Sequence, residues 1–448
     1  MASSMGVSRT LIAGTVVLLL VILATAFMMM GQEGAPATTT TSPATQAREA
    51  AETVTEATET RATETQETGT GQEAQATETG MGQVKVLVLF DVGGKGDLSF
   101  NDMAVLGAER AAEELGVQVD YQTPASVDAM ESLLRSVSRG GEYDLIIGVG
   151  FLWLEPIVNV APDFPEQKYA IIDAAPPEKI DNVAAFVFRE QEVAALMGIL
   201  AADMAKSIGA TQVGAVAGMD IPPLWKFHIG YLYGVKLYNE ETGSDIGFLW
   251  TYTGTFTDPQ VGKQTAEQMI AQDARVLYGV AGLTHVGMFD AVKDANARGV
   301  KALAIGQDAS QEWYAPEYIV VSGMKRVDTA VYMAIKSVVD GTYSGGVHSL
   351  GLKEGGLGVS DLDIVRYFAE IAAEQGKLPQ GLTPDDVVRI VEEKRKEYIS
   401  DTAWGLVERL QKDIIDGKIV FKTPATHDEY DQIVEALKGG DLQAVIQG

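Results

Sequence analysis

The chain has 448 residues, 34 basic and 62 acidic side chains and no cysteine, for a formal charge of −28 at pH 7. Its 46% apolar share is that of a folded protein, with length for roughly two or three domains. The acid excess excludes nucleic acid as a partner, because phosphate binding needs clustered lysine and arginine. The missing cysteines exclude disulfides, thiolate metal sites, a cysteine nucleophile and a lipid-bearing N-terminal cysteine.

From Leu11 to Met30 the chain reads LIAGTVVLLLVILATAFMMM, free of charge and preceded by Arg9. At ~1.5 Å rise per residue such a run crosses the ~30 Å hydrocarbon layer, so residues 1–30 are expected to form a transmembrane anchor. A cleaved signal peptide is the competing reading, although its apolar core is usually ~7–15 residues and Met28–Met30 make a poor cleavage site. Either reading puts the body outside the cell, at the membrane. Residues 31–83 form a Thr- and Glu-rich linker in which, up to residue 80, Val54 is the one bulky apolar residue. Such a segment cannot bury enough surface to offset its ordering entropy, and a disordered tether is expected.

The pattern changes at Val84. Short apolar runs read as strands at Val84–Phe90, Asp144–Gly150, Lys168–Asp173, Asn182–Phe188, Gln212–Gly218, Ile246–Tyr252, Arg275–Gly282 and Val300–Asp308. Helical spacing separates most of them, at Met103–Gly116, Gln191–Lys206, Leu224–Asn239, Val261–Ala274, Val286–Arg298 and Asp328–Asp340. Alternation of this kind means parallel sheets covered on both faces, and so many strands divide naturally into two doubly wound, Rossmann-like lobes. Ligands of such sheets sit beyond the carboxyl ends of the strands, so the residues just after each strand are the candidates. After Val359 the rhythm gives way to exposed helices at Asp361–Gln375, Pro384–Tyr398 and Asp401–Ile415.

Four post-strand clusters stand out. FDVGGKGDLSFND, Phe90 to Asp102, is a glycine-rich strand-to-helix turn. Its G-G-x-G spacing departs from the dinucleotide fingerprint, and Asp91 and Asp97 would repel a pyrophosphate. A plain turn and a ligand loop using Asp91, Phe100 and Asn101 both remain open. In YTGTFTDP, Tyr252 to Pro259, Phe256 is either a core ring or a stacking face, and the phosphate-loop likeness of the following residues fails because Thr257 and Gln264 stand at required positions. Asp308 ends IGQD either at a cleft or as a cap, and SGMKRVD carries Lys325 and Arg326. No G-x-S-x-G or H-E-x-x-H occurs, and His228, His285, His348 and His427 are scattered, so catalytic and metal sites are not expected.

Taken together, these segments resemble the basic membrane protein family of solute-binding proteins, which includes purine nucleoside receptors of ABC importers. The resemblance rests on DVGGKGDLSFND, GAVAGMDIPPLWKFHIGYLYGVK (Gly214–Lys236), GTFTDP, IGQD, SGMKRVDTAVY and GLKEGGLGV (Gly351–Val359), in the family's order, with DIIDGKIVF (Asp413–Phe421) similar to its C-terminal helix-strand. It implies an α/β periplasmic-binding type I fold: lobe 1 over residues 84–190, lobe 2 over 191–325, and a hinge and return segment over 326–360. A helical extension over 361–448 is expected to pack on the lobes, and its stretch around Asp361–Ser400 lies outside the shared pattern. The resemblance also implies a ligand site of Asp91, Phe100 and Asn101 on one wall and Phe256, Gly282, Asp308 and Lys325 on the other, two rings sandwiching a base. Trp225 and Phe227 lie in a matching segment and are secondary candidates. VAGLTHVG departs from the family's glycine-rich pattern through Leu283 and His285, which are expected to alter the pocket wall, and Gln307 departs before Asp308. The implied protein is no enzyme and takes no cofactor. It is a membrane-tethered receptor that captures a small molecule, a nucleoside by the resemblance, for an ABC permease. The rivals are a ligand-sensing ectodomain and a surface nucleoside hydrolase or nicotinamide-dependent oxidoreductase.

Overall fold

A computed structural model describes residues 83–447. The expected anchor and nearly all of the expected linker therefore lie outside the described residues. Among the described residues no helix is long and apolar enough to cross a membrane.

The chain runs β1 (Lys85–Leu89), α1 (Phe100–Leu115), β2 (Gln118–Gln122), α2 (Met130–Gly140), β3 (Leu145–Val149), α3 (Leu154–Val160), β4 (Lys168–Ile172) and β5 (Val183–Phe188). It continues with α4 (Glu190–Ser207), β6 (Gln212–Ala217), α5 (Pro222–Thr242), β7 (Gly247–Tyr252), α6 (Pro259–Ala271), β8 (Ala274–Val280), α7 (Thr284–Ala297), β9 (Leu303–Asp308) and β10 (Ile319–Lys325). After α8 (Val327–Val339), β11 (Gly346–Leu350) and β12 (Leu357–Val359) come α9 (Leu362–Glu374), α10 (Pro384–Tyr398), α11 (Asp401–Ile415) and α12 (His427–Lys438).

Two six-stranded sheets result, ordered β11-β5-β4-β3-β1-β2 and β12-β10-β9-β8-β6-β7. Five strands of each repeat the doubly wound order 2-1-3-4-5, all pairs being parallel except β10 with β12. Central strands such as β3 (LIIGV) are buried along their whole length, as strands covered on both faces must be. Helices α4 and α5 cross closely because both carry glycine at the crossing: a Cβ on Gly234 would stand 3.0 Å from the Gly198 Cα.

Residues 326–360, read from the sequence as a hinge and return, divide between the lobes. Helix α8 packs on α1, β11 joins the first sheet and β12 joins the second. Within the described residues the chain thus passes between lobes three times, at Arg189, at Arg326 and through residues 351–356. The passages are bonded to one another: Arg189 N–H donates to Leu350 O (2.9 Å), Arg326 N–H to Gly356 O (2.9 Å), and Leu352 N–H to the Glu192 carboxylate (2.7 Å). Arg189 also pairs with Glu192 and Glu354. The C-terminal helices pack on lobe 2, α11 against α4 and α12 against α5. The strand expected at the end of DIIDGKIVF is only an isolated antiparallel bridge between Phe421 and Ile446.

Candidate functional site

The reversal of strand order in each sheet opens a crevice above the strand ends, and the two crevices face each other. Between them lies a cleft enclosing about 650 Å³ of space not filled by protein atoms, its mouth included. Strand-end residues line it: Asp91 after β1, Gly150 after β3, Asp173 after β4, Phe256 after β7, Gly282 after β8, Asp308 closing β9 and Lys325 closing β10. Phe100 and Asn101 enter from the first turn of α1, and Phe227 from α5.

The first wall is held by a network of bonds to two carboxylates. Asp97 accepts from the backbone N–H of Ser99 (3.0 Å), Asn101 (2.9 Å) and Asp102 (3.1 Å), and from Asn101 Nδ2 (3.0 Å). The same Nδ2 donates to Asp91 Oδ1 (2.9 Å), which also accepts from Gly93 N–H (2.8 Å). Both amide protons of Asn101 are therefore committed, while its buried Oδ1 has no protein partner among the described residues. Burial raises Asp91 against its bonds to Asn101 and Gly93. Burial, aided by the nearby charge of Asp102, pushes Asp97 up to about 7.

The second wall carries Phe256, whose ring lies against Gly218 so closely that a Cβ there would overlap it. Asp308 sits at φ 73, a left-handed conformation that is unusual for a non-glycine residue and clusters at functional sites. Its carboxylate accepts from Gln307 Nε2 (3.1 Å) and, across the cleft, from Ser99 Oγ (2.7 Å). Burial raises its pKa against the attraction of Lys325.

At the hinge end Lys325, 2% exposed, places Nζ 2.5 Å from Asp173 and 2.9 Å from Glu190, and Lys226 pairs with the other oxygen of Glu190. The ammonium lies 5.2 Å from the Phe100 ring centre and 5.5 Å from that of Phe227. It faces both carboxylates and also lines the cleft. Of the two coupled carboxyls, burial pushes Asp173 up to about 7, whereas Glu190 falls below its ordinary range because Lys226 and Lys325 together outweigh its burial. Lys325 is raised, its burial outweighed by Asp173 and Glu190.

The cleft brings together Asp91, Phe100, Asn101, Phe256, Gly282, Asp308, Lys325 and Phe227. Trp225 is not among its lining residues; its Nε1 donates to Asp220 (2.5 Å) and its ring stacks on Tyr430 at 5.5 Å. Trp225 and Phe227 are two residues apart on a helix, roughly 200° of rotation, so only one can face the cleft. Leu283 and His285, expected in the wall, do not line it either. His285 is buried in the first turn of α7, its Nδ1 accepting from Ala281 N–H (3.1 Å), and burial pushes its pKa down to about 4. The departure that does reach the cleft is Gln307. Sequence reasoning missed Asp97, Asp173 and the Gly150–Leu152 turn as lining residues. Asp173 and Gly150 close strand-like runs, so the strand-end rule already pointed to them. No cluster of acids or histidines suited to a metal occurs among the described residues.

Two doubly wound lobes, joined by a threefold crossing and enclosing an aromatic and carboxylate-lined cleft, define a solute-binding protein of the periplasmic-binding type I class. The chain belongs to the Bmp family of PnrA-like ABC transporter substrate-binding proteins, whose model matches residues 84–383. That match runs past Val359, where the sequence resemblance stops, and takes in α9. A solute-binding protein of Aeropyrum pernix, known from a crystal structure, is 65% identical over 81% of this chain and all of its own, with a TM-score of 0.80. A lipoprotein of Pyrococcus abyssi is 58% identical over 83% of this chain and 92% of its own length. An ABC transporter nucleoside-binding protein of Lactococcus lactis is 28% identical over 64% of this chain and 84% of its length. The family is one of binding proteins, not enzymes, and implies a ligand and a permease as partners.

Proposed function

We propose that the cleft captures a nucleoside and that the chain delivers it to the permease of its ABC importer. The observation carrying this reading is the entry of Phe100 and Phe256 from opposite lobes into one cleft, with hydrogen-bonding groups on either side of them. Two rings suit a flat base, adding ~0.5–1.5 kcal/mol each beyond burial. The free Oδ1 of Asn101 accepts from a base N–H, and Asp308 and Lys325 take the ribose hydroxyls. The nucleoside-binding relative from Lactococcus lactis supports the ligand class.

The body works outside the cell, tethered by Leu11–Met30 through the Thr- and Glu-rich linker. The Pyrococcus abyssi relative is a lipoprotein, but no cysteine in this chain could bear a lipid, and the uncharged run takes over that role. Closure on ligand presents both lobes to the permease, so ligand need only favour the closed state by a few kcal/mol. Calorimetry of the purified protein against inosine, guanosine, adenosine, hypoxanthine, ribose and amino acids tests the reading. Binding of purine nucleosides with ribose and amino acids inert is expected. Binding of another class alone would refute the nucleoside and leave the receptor.

A further inference from the structure

Helix α9 is fixed to lobe 2 yet lies against lobe 1. Its root is Ser360, whose N–H donates to Ser322 O (2.9 Å) and whose Oγ accepts from Ser322 N–H (3.0 Å). Its neighbour α10 holds lobe 2 through Arg395, which donates to Val320 O (3.0 Å), to the fully buried Glu312 (2.9 Å) and to Ser360 Oγ (2.9 Å). On its other side α9 forms one flank of a groove: Phe368, Ile371 and Gln375 face Asp102, Leu106 and Glu109 of α1.

One lobe 1 side chain enters the apolar cluster of this extension. Leu98 packs on the cluster formed by Trp313, Val365, Ala369, Ala372, Val387 and Val391, and Phe368 packs there as well. Leu98 does so from φ 57, a left-handed backbone that is strained for a non-glycine residue. Its carbonyl accepts from Gln311 Nε2 of lobe 2 (2.9 Å), and its neighbour Ser99 donates to Asp308 and to Gln307 O (3.1 Å). Leu98 is not among the residues that line the ligand cleft. The contacts of Leu98 and Ser99 cross between lobes and must break when they part.

We infer that the α9–α10 extension is a clasp that captures Leu98 when the lobes close, so that Leu98 sets ligand affinity as a positioning residue that touches no ligand. The inference rests on lobe closure and not on the nucleoside reading. Part of the closing free energy then resides outside the cleft, and ligand supplies only the remainder. Such a receptor closes to some extent without ligand and binds more tightly than its cleft contacts alone would allow.

The absence of cysteine allows a clean test in the full chain. Asp128→Cys and Gln260→Cys place spin labels on exposed sites, one between β2 and α2 in lobe 1 and one in the first turn of α6 in lobe 2. Pulsed electron-paramagnetic-resonance distances are measured without ligand, in that background and with Leu98→Asn, which tolerates the left-handed backbone. Phe368→Ala, from the clasp side, is measured alone and combined with Leu98→Asn. The expected result is a ligand-free shift to longer distances in each variant, with no further shift when the two are combined. Loss of a half-buried leucine contact corresponds to an about tenfold weaker inosine affinity, the short distance returning at saturation. Unchanged ligand-free distances in both single variants would overturn the clasp. So would a lowered melting temperature with distances unchanged, which would make Leu98 a packing residue only. If inosine fails to bind the parent protein, the nucleoside reading falls and the ligand-free distances still decide the clasp.

Discussion

Replacing Lys325 by methionine keeps the volume and removes one of two ammoniums from a buried group of four charges. Glu190 then keeps Lys226, while Asp173 loses its ion-pair partner. Breaking a buried ion pair from one side costs about 3–5 kcal/mol, since the remaining carboxylate has lost its compensation. At ~2.1 cal/mol/K per residue, about 365 described residues melting together convert this into a drop of ~4–7 °C in Tm for the ligand-free protein. The pH dependence identifies the partner. Burial already holds Asp173 up to about 7 in the native protein, above its ordinary 3.8, so the folded state keeps a proton that the unfolded chain has released. That contribution is full below pH 3.8 and is lost as pH rises through about 7. Without Lys325, whose charge lowers Asp173, the carboxyl titrates higher still and its ionisation costs more. The deficit against wild type should therefore be smallest below about pH 7 and widen above it, as scanning calorimetry from pH 5 to 9 would show. Adding Asp173→Asn should recover most of the loss at pH 8. A deficit under about 1 kcal/mol, or one flat across this range, would refute the ion-pair account.

Phe100→Ala and Phe256→Ala should each weaken nucleoside binding by about 2–4 kcal/mol, the sum of lost burial and stacking, with the ligand-free Tm little changed; calorimetry decides. Asp308→Asn should cost affinity for nucleosides while leaving free bases nearly unaffected, and an equal loss for both would remove Asp308 from the ribose. Gly218→Ala should displace the Phe256 ring, destabilising the fold by about 1–3 kcal/mol and lowering nucleoside affinity as much as Phe256→Ala does; retained affinity would mean the ring is not a stacking face.

Strands whose two faces are both covered were legible as apolar runs, which is why β1, β3 to β6, β8 and β9 stand close to their expected places. Strand β2, QVDYQ, escapes because three of its five residues are polar, whereas β7, a half-exposed edge as well, was legible through its apolar run GFLWTY. Strand β10, IVVSGMK, escapes for the opposite reason: it is buried throughout, yet carries a serine whose hydroxyl donates to the buried Glu312 and a lysine compensated by Asp173 with Glu190. Local pattern cannot reveal partners 135 or 152 residues away. The lining of the cleft was legible where a strand end coincided with a conspicuous residue type, as at Asp91, Phe256 and Asp308. Asp173 ends a strand as plainly, but nothing local announces the lysine it meets. Trp225 was misplaced because membership of a motif says nothing about which side of a helix faces inward.

The three passages between lobes act mechanically as parallel ties. Three backbone links lying side by side, bonded to one another at Arg189, Leu350, Arg326 and Gly356, resist torsion and leave bending about a single axis as the soft motion. They also make the linkage redundant. A protease that cuts one tie leaves two, so a nicked receptor keeps both halves of its cleft in register. By the same logic the chain could be reopened within residues 351–356, with its natural ends joined elsewhere, and still swing on the same axis.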